Sequence, residues 1–253
     1  MAPSNRIMTM RRMLHPSFWI VPGALLLLSA GFVSLGRWQL ERAEVNRVIE
    51  ERFDRADRLP ALDEPVDGVD AQAERYRRIM LSGRYESDVQ ILLDNMTRGG
   101  QAGYEVLTPF AVEGSDRRVV VNRGWAPASW NRDELPDIAL AERATTLRGR
   151  IDRLPRAGLS LGEAPVSGDR HAVVMSFPDF ADLETALGRK LYPFQLLLDP
   201  DSGPGFVRDW TAPRGLADRN LAYAVQWFAL AALALVIAIG AAVRSPGPTQ
   251  EAQ

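Results

Sequence analysis

The stretch LAYAVQWFALAALALVIAIGAAV, residues 221–243, carries no charged side chain. As a helix rising about 1.5 Å per residue it is long enough to cross a hydrocarbon core of about 30 Å. Its Leu, Ile, Val and Phe residues contribute about −3 to −6 kcal/mol on an insertion scale, more than Gln226 and the interfacial Tyr223 and Trp227 offset. It reads as a transmembrane helix. A buried core helix is the competing reading, but such helices rarely stay uncharged for this long.

Working outward, a second apolar run lies at the other end of the chain, FWIVPGALLLLSAGFVSL at 18–35. It is a second span or a signal peptide. Arg6, Arg11 and Arg12 supply the basic start and Ser29 and Gly31 the small residues of a cleavage site, yet the apolar run continues to Leu35, beyond any such cut. Two spans leave tails at 1–17 and 244–253 on one side and residues 36–220 on the other. The three arginines of the first tail place the tails in the cytoplasm, against a weaker opposite signal from Arg37, Arg42 and Arg47, so the middle domain is expected to be periplasmic.

Residues 36–58 mix both charge signs, with Leu40, Val45, Val48, Ile49 and Phe53 at helical spacing, and read as a juxtamembrane helix. Beyond Pro60, Pro65 and Gly68 the pattern becomes one of short alternating runs. Strands are expected at 76–85, 89–95, 104–112, 117–125, 145–153, 171–175 and 194–198, with one short helix at 178–187 ended by Gly188. The fold class is therefore two transmembrane helices flanking an extracytoplasmic α+β domain, mainly an antiparallel β barrel or sandwich. Small residues Ala234, Ala238 and Ala242, facing Ala30 and Ser34, are expected to bring the helices together.

Composition narrows the function. The 253 residues have a net charge of −2 and no cysteine, which argues against a broadly cationic nucleic-acid surface and excludes disulfides, thiolate metal sites and CxxCH haem attachment. The two histidines are His15, in the tail, and His171, at the start of a strand; neither stands beside a nucleophile or another ligand. No phosphate loop and no HExxH motif is present. The chain reads as a binding protein and not as an enzyme.

Three clusters ask for more than structure. Gly36, Trp38, Gln39 and Arg42 stand where the first span meets water; Asn122, Arg123, Gly124 and Trp125 end a strand; Tyr223, Gln226 and Trp227 share one side of the second span. Together with Gly103-Tyr104, Thr108-Pro109 and Arg208-Asp-Trp210, and in this order, they resemble the Surfeit locus protein 1 family of cytochrome oxidase assembly factors. The resemblance covers essentially the whole chain. It implies an inner-membrane chaperone that assists haem delivery or retention while the catalytic subunit of a haem–copper oxidase matures, with that subunit, other assembly proteins and the bilayer as partners and no nucleic acid. It also implies haem contact at Tyr223, Gln226 and Trp227. At position 220, where the family commonly has a histidine, stands Asn220, a poor ligand for haem iron. Haem a or a related haem held between the helices against Trp227 and Phe228, with a ligand from another protein, is what remains of direct binding. The rival readings are a membrane-tethered periplasmic binding or sensor domain and an accessory oxidase subunit.

Overall fold

The computed structural model describes residues 16–62, 70–132, 134–140, 144–156, 167–168, 172–202, 206–211 and 214–243. Both tails beyond these limits lie outside the described residues, as do His15, His171, Pro65, Gly68 and most of the turn-rich stretch before the 171–175 strand. The chain falls into two compact units, residues 1–50 with 213–253, and residues 51–212.

The first unit is a helix pair. Helix α1 runs unbroken from Pro16 to Arg58, so that the segments 18–35 and 36–58 lie in one 43-residue helix, and α3 runs from Leu216 to Val243. Both are long and apolar enough to cross a bilayer. The first ends in Arg55 and Arg58, basic groups that suit the negative end of its dipole.

The second unit is built on an eight-stranded mixed sheet: β1 Arg78–Tyr85, β2 Gln90–Arg98, β3 Gln101–Val112, β4 Arg118–Pro127, β5 Ala144–Asp152, β6 Ser167–Gly168, β7 Ala172–Met175 and β8 Leu191–Leu198, in the order β1-β5-β8-β4-β3-β2-β7-β6. The pairing is mainly antiparallel, but β2 with β7 and β4 with β8 run parallel. The parallel pairs arise because the chain returns to the sheet through long crossovers and not through hairpins. A further antiparallel pairing joins β1 to β3 at Gly83–Tyr85. The two-residue β6 falls in a stretch read from sequence as turns.

Strand alternation assigns two faces. On one, β3 contributes Tyr104 and Val106 to an apolar cluster with Leu92 and Ile138, then Thr108, then Phe110 and Val112 to a larger cluster with Leu81, Val121, Phe194 and Leu196. On the other, Ile91, Leu93, Leu107 and Val120 are covered by Leu183 and Leu187 of α2, Phe180–Leu187. Asp179 and Asp182 close that helix's first turn as a reciprocal capping box, and Gly188 ends it at φ 61°.

Candidate functional site

Within the helix pair, buried and half-buried residues recur every seven positions. On α1 they are Pro22, Ser29 and Gly36 with Phe32 and Gln39; on α3 they are Ala224, Ala231 and Ala238 with Asn220, Trp227 and Ala234. A seven-residue repeat is the seam of a left-handed helix pair. The pair is antiparallel: Ser29 Oγ donates to the carbonyl of Ala231 at 2.9 Å, Phe32 stacks on Trp227 with ring centroids 5.6 Å apart, and Asn220 Nδ2 donates to Gln39 Oε1 at 2.9 Å. Gly36 is a point of close approach between the helices, since a Cβ there would stand 2.7 Å from Phe228 Cε1.

The seam divides the residues singled out from sequence. Gly36, Gln39, Asn220 and Trp227 form it, whereas Trp38, Arg42, Tyr223 and Gln226 are exposed outside it. Tyr223, Gln226 and Trp227 therefore differ in setting: the ring of Trp227 stacks on Phe32, whereas Tyr223 and Gln226 are exposed. Ala30 and Ser34 are also exposed, and Ser34 Oγ bonds its own helix at the Ala30 carbonyl.

In the sheet domain the Asn-Arg-Gly-Trp run forms a β-bulge. Leu107 pairs with Asn122 and Glu105 with Trp125, so β4 fits an extra residue between the two pairs. Gly124 makes this turn at φ 115°, its N–H donating to Asn122 Oδ1 at 3.1 Å. A Cβ on Gly124 would also press on Arg208 Cγ at 2.7 Å and on the Val207 carbonyl at 2.8 Å. Trp125 pairs backbone to backbone with Val207 and its indole N–H donates to the Met96 carbonyl at 2.7 Å. Gly103 lies directly under the Trp125 ring, where any side chain would collide with it.

The bulge gives two neighbouring side chains separate hydrogen-bond partners. Arg123, 8% exposed, sends Nη1 to Gln90 Oε1 at 2.9 Å, to the Ile138 carbonyl at 2.9 Å and to Thr108 Oγ1 at 3.4 Å, while its guanidinium lies 5.0 Å from the ring centre of Phe206. Thr108 donates to Gln90 Oε1 at 2.7 Å, completing the cluster. Among the described residues Arg123 makes no ion pair; burial lowers its pKa, yet an arginine stays charged at any physiological pH. Asn122, fully buried, donates through Nδ2 to Glu105 Oε2 at 2.7 Å and to Gln195 Oε1 at 3.1 Å. Burial raises the Glu105 pKa; the Asn122 bond opposes this and the charge of Asp152 adds to it.

The remaining motif residues are structural neighbours of the bulge. The Pro109 carbonyl accepts from Glu86 N at 2.9 Å, and Tyr104 is buried with the Arg132 guanidinium 5.4 Å from its ring. Arg208 Nη1 reaches the carbonyls of Asp199 and Ser202 at 3.3 Å, and the indole of Trp210 donates to the Leu198 carbonyl at 2.8 Å. Sequence reasoning missed Gln90, Glu105 and Gln195. Gln195 is a polar residue inside an otherwise apolar run, and Glu105 interrupts one between Tyr104 and Val106, which is the signal that marks them; Gln90, at the start of β2, carries no such signal.

Two long apolar helices that flank a mixed β domain in the chain, with motif residues on both helices and around one β-bulge, define a class of two-helix proteins with a β domain between the helices. The chain belongs to the SURF1 family, whose model matches residues 26–232. It is 24% identical over 226 residues to a SURF1-like protein of Drosophila melanogaster, covering 82% of this chain and 73% of that one. It is 24% identical over 125 residues to Surfeit locus protein 1 of Takifugu rubripes, covering 44% of this chain and 52% of that protein. It is also 26% identical over 135 residues to the cytochrome oxidase assembly protein SHY1 of Saccharomyces cerevisiae, covering 51% and 33%. The match thus spans about half of the Takifugu protein and a third of the yeast one.

Proposed function

We propose that this protein is an assembly factor for a haem–copper terminal oxidase, anchored by two helices in the bacterial inner membrane with its β domain, most simply a barrel, in the periplasm. Family membership carries the reading, with a relative named for cytochrome oxidase assembly beside it. The exposed surface supports the membrane: among the described residues, the large apolar side chains that are exposed, all but Leu59, Trp130 and Val207, lie on α1 and α3. The antiparallel pairing of α1 and α3 supports tails on one side, and Arg6, Arg11 and Arg12 favour the cytoplasm for that side.

The role is binding and hand-over. Its partners are the catalytic subunit of the oxidase and other assembly proteins. Ligation of haem by the helix pair does not fit the side chains present: the Asn220 carboxamide bonds Gln39, and Trp227 and Phe228 are used in packing α1 against α3. The exposed Tyr223 and Gln226 are instead the groups available to a client helix, because a carboxamide facing lipid gains by finding a partner.

The test is a reduced-minus-oxidised spectrum of membranes from a deletion strain beside its parent, with oxygen uptake on cytochrome c and on quinol. A selective loss of one oxidase's haem signal and activity is expected and identifies the client. Unchanged oxidase content while the gene is expressed overturns the reading in favour of a tethered binding domain.

A further inference from the structure

We propose that the cleft beside Glu105 in the β domain is a binding site for a small oxyanion, a carboxylate or phosphate group on a compact body. This site lies wholly within residues 51–212 and does not depend on the assembly role. It is a cavity of about 340 Å3, at the small end of ligand pockets, which run from roughly 300 to 1,000 Å3.

Its floor is rigid. Asn122 and Gln195, both almost wholly buried, are locked to each other and to Glu105, and Gln195 Nε2 donates to the Arg153 carbonyl at 2.7 Å, fixing the backbone that carries the next wall. Three arginines line the cavity. Arg75 is held by Asp152 Oδ1, which takes its Nε at 2.6 Å, and by the ring of Tyr76, whose centre lies 4.4 Å from the guanidinium carbon. Among the described residues nothing bonds its two terminal nitrogens, and the side chains of Arg153 and Arg156 have no ion-pair partner.

The charges do not balance. Asp152 is already committed to Arg75 and to the Arg153 N–H, and Glu105, the other acid in the wall, is biased by burial toward its neutral form. Guanidinium groups with free terminal nitrogens match the paired oxygens of carboxylate and phosphate. Leu197 and Trp210 supply an apolar side for the body that carries the anion. A preorganised arginine, two more without an ion-pair partner among the described residues, and an apolar wall together describe an oxyanion receptor.

The experiment is calorimetric titration of the full-length protein in dodecyl maltoside with inorganic phosphate and, separately, with benzoate. At least one probe is expected to saturate at one site per chain, and the one that does so separates phosphate from carboxylate chemistry. Replacing both rim arginines, Arg153→Gln with Arg156→Gln, is expected to weaken that binding by about tenfold or more. Arg156→Glu, a single change at an exposed position, is expected to do the same and guards against a folding defect in the double variant; Arg117→Gln, on the exposed turn before β4, should leave affinity unchanged. The proposal is overturned if neither probe saturates by about 10 mM, or if the rim variants bind as the parent does.

Discussion

Arg123 is a buried cation whose neighbours are neutral oxygens and one aromatic ring, and its energetic role is therefore that of a donor and not of an ion-pair partner. Arg123→Met keeps most of the volume but removes a charged donor from Gln90 Oε1 and from the Ile138 carbonyl, which retain only Thr108 Oγ1 and Gln90 Nε2, so it should cost about 1.5–3 kcal/mol in denaturant unfolding of the purified protein. Arg123→Lys should recover only part of this, because one ammonium cannot copy the guanidinium plane over Phe206. Glu105 gives the opposite sign. Burial lifts its folded pKa above the unfolded value, so its contribution to stability is full below the unfolded pKa and is lost as pH rises through the folded one. Glu105→Gln keeps an acceptor for Asn122 and removes the ionisation; its apparent melting temperature should exceed that of the parent at neutral pH, and the gap should close toward pH ~4, near the ordinary glutamate value. An equal gap at both pH values would show that Glu105 is not held in its neutral form. The sequence made the Asn-Arg-Gly-Trp run legible as the end of a strand, since that signal is local. Glu105, Gln90 and Gln195 were not legible as a site because their partners are up to 73 residues away and meet only through strand order.

For the helices, the sequence correctly indicated two long apolar segments but misplaced the contact between them. Small residues four apart suggested Ala234, Ala238 and Ala242 against Ala30 and Ser34; the seam repeats every seven residues, keeps Ala234 and Ala238, and uses Ser29 and Gly36 on the other side. Of the apolar face expected over 36–58, Phe53 is buried against Tyr76 and Ile49 is half-buried, whereas Leu40, Val45 and Val48 are exposed. A spacing of three and four fits several rotations of one helix, and only the partner selects among them. Mixed pairing in the sheet escaped for a similar reason, because alternation along a strand says nothing about the direction of its neighbour. The absence of cysteine in the chain makes the seam testable without background. Ser29→Cys with Ala231→Cys should form a disulfide on mild oxidation in membranes. Adding Gly36→Leu should reduce that yield several-fold, since lipid offers no hydrophobic force to hold mispacked helices together, and Phe228→Ala should restore it by opening the notch. A yield indifferent to Gly36→Leu would mean that this glycine is not a close-approach point.

Across the chain the polar motif residues divide into those that build the protein and those that remain available to something else. Gln39, Asn220, Asn122 and Arg123 are satisfied within their own unit, whereas Tyr223 and Gln226 stand on the outer side of α3 among Leu230, Leu233 and Ile237. In a bilayer that outer side meets acyl chains, and Gln226 is the costly residue on it. Replacing Tyr223 and Gln226 together by Leu should make α3 a better membrane helix, leave the disulfide between positions 29 and 231 unchanged, and keep the domain's melting temperature, because neither side chain takes part in the seam. If the two are retained for a client helix, the same variant should nevertheless fail to restore oxidase activity and haem signal in the deletion strain, at a protein level equal to that of the parent. Seam variants such as Gly36→Leu should lose function together with the disulfide, so the two classes separate by one cross-link and one spectrum. Full oxidase assembly by the leucine variant would assign client recognition to the β domain and leave α3 as an anchor.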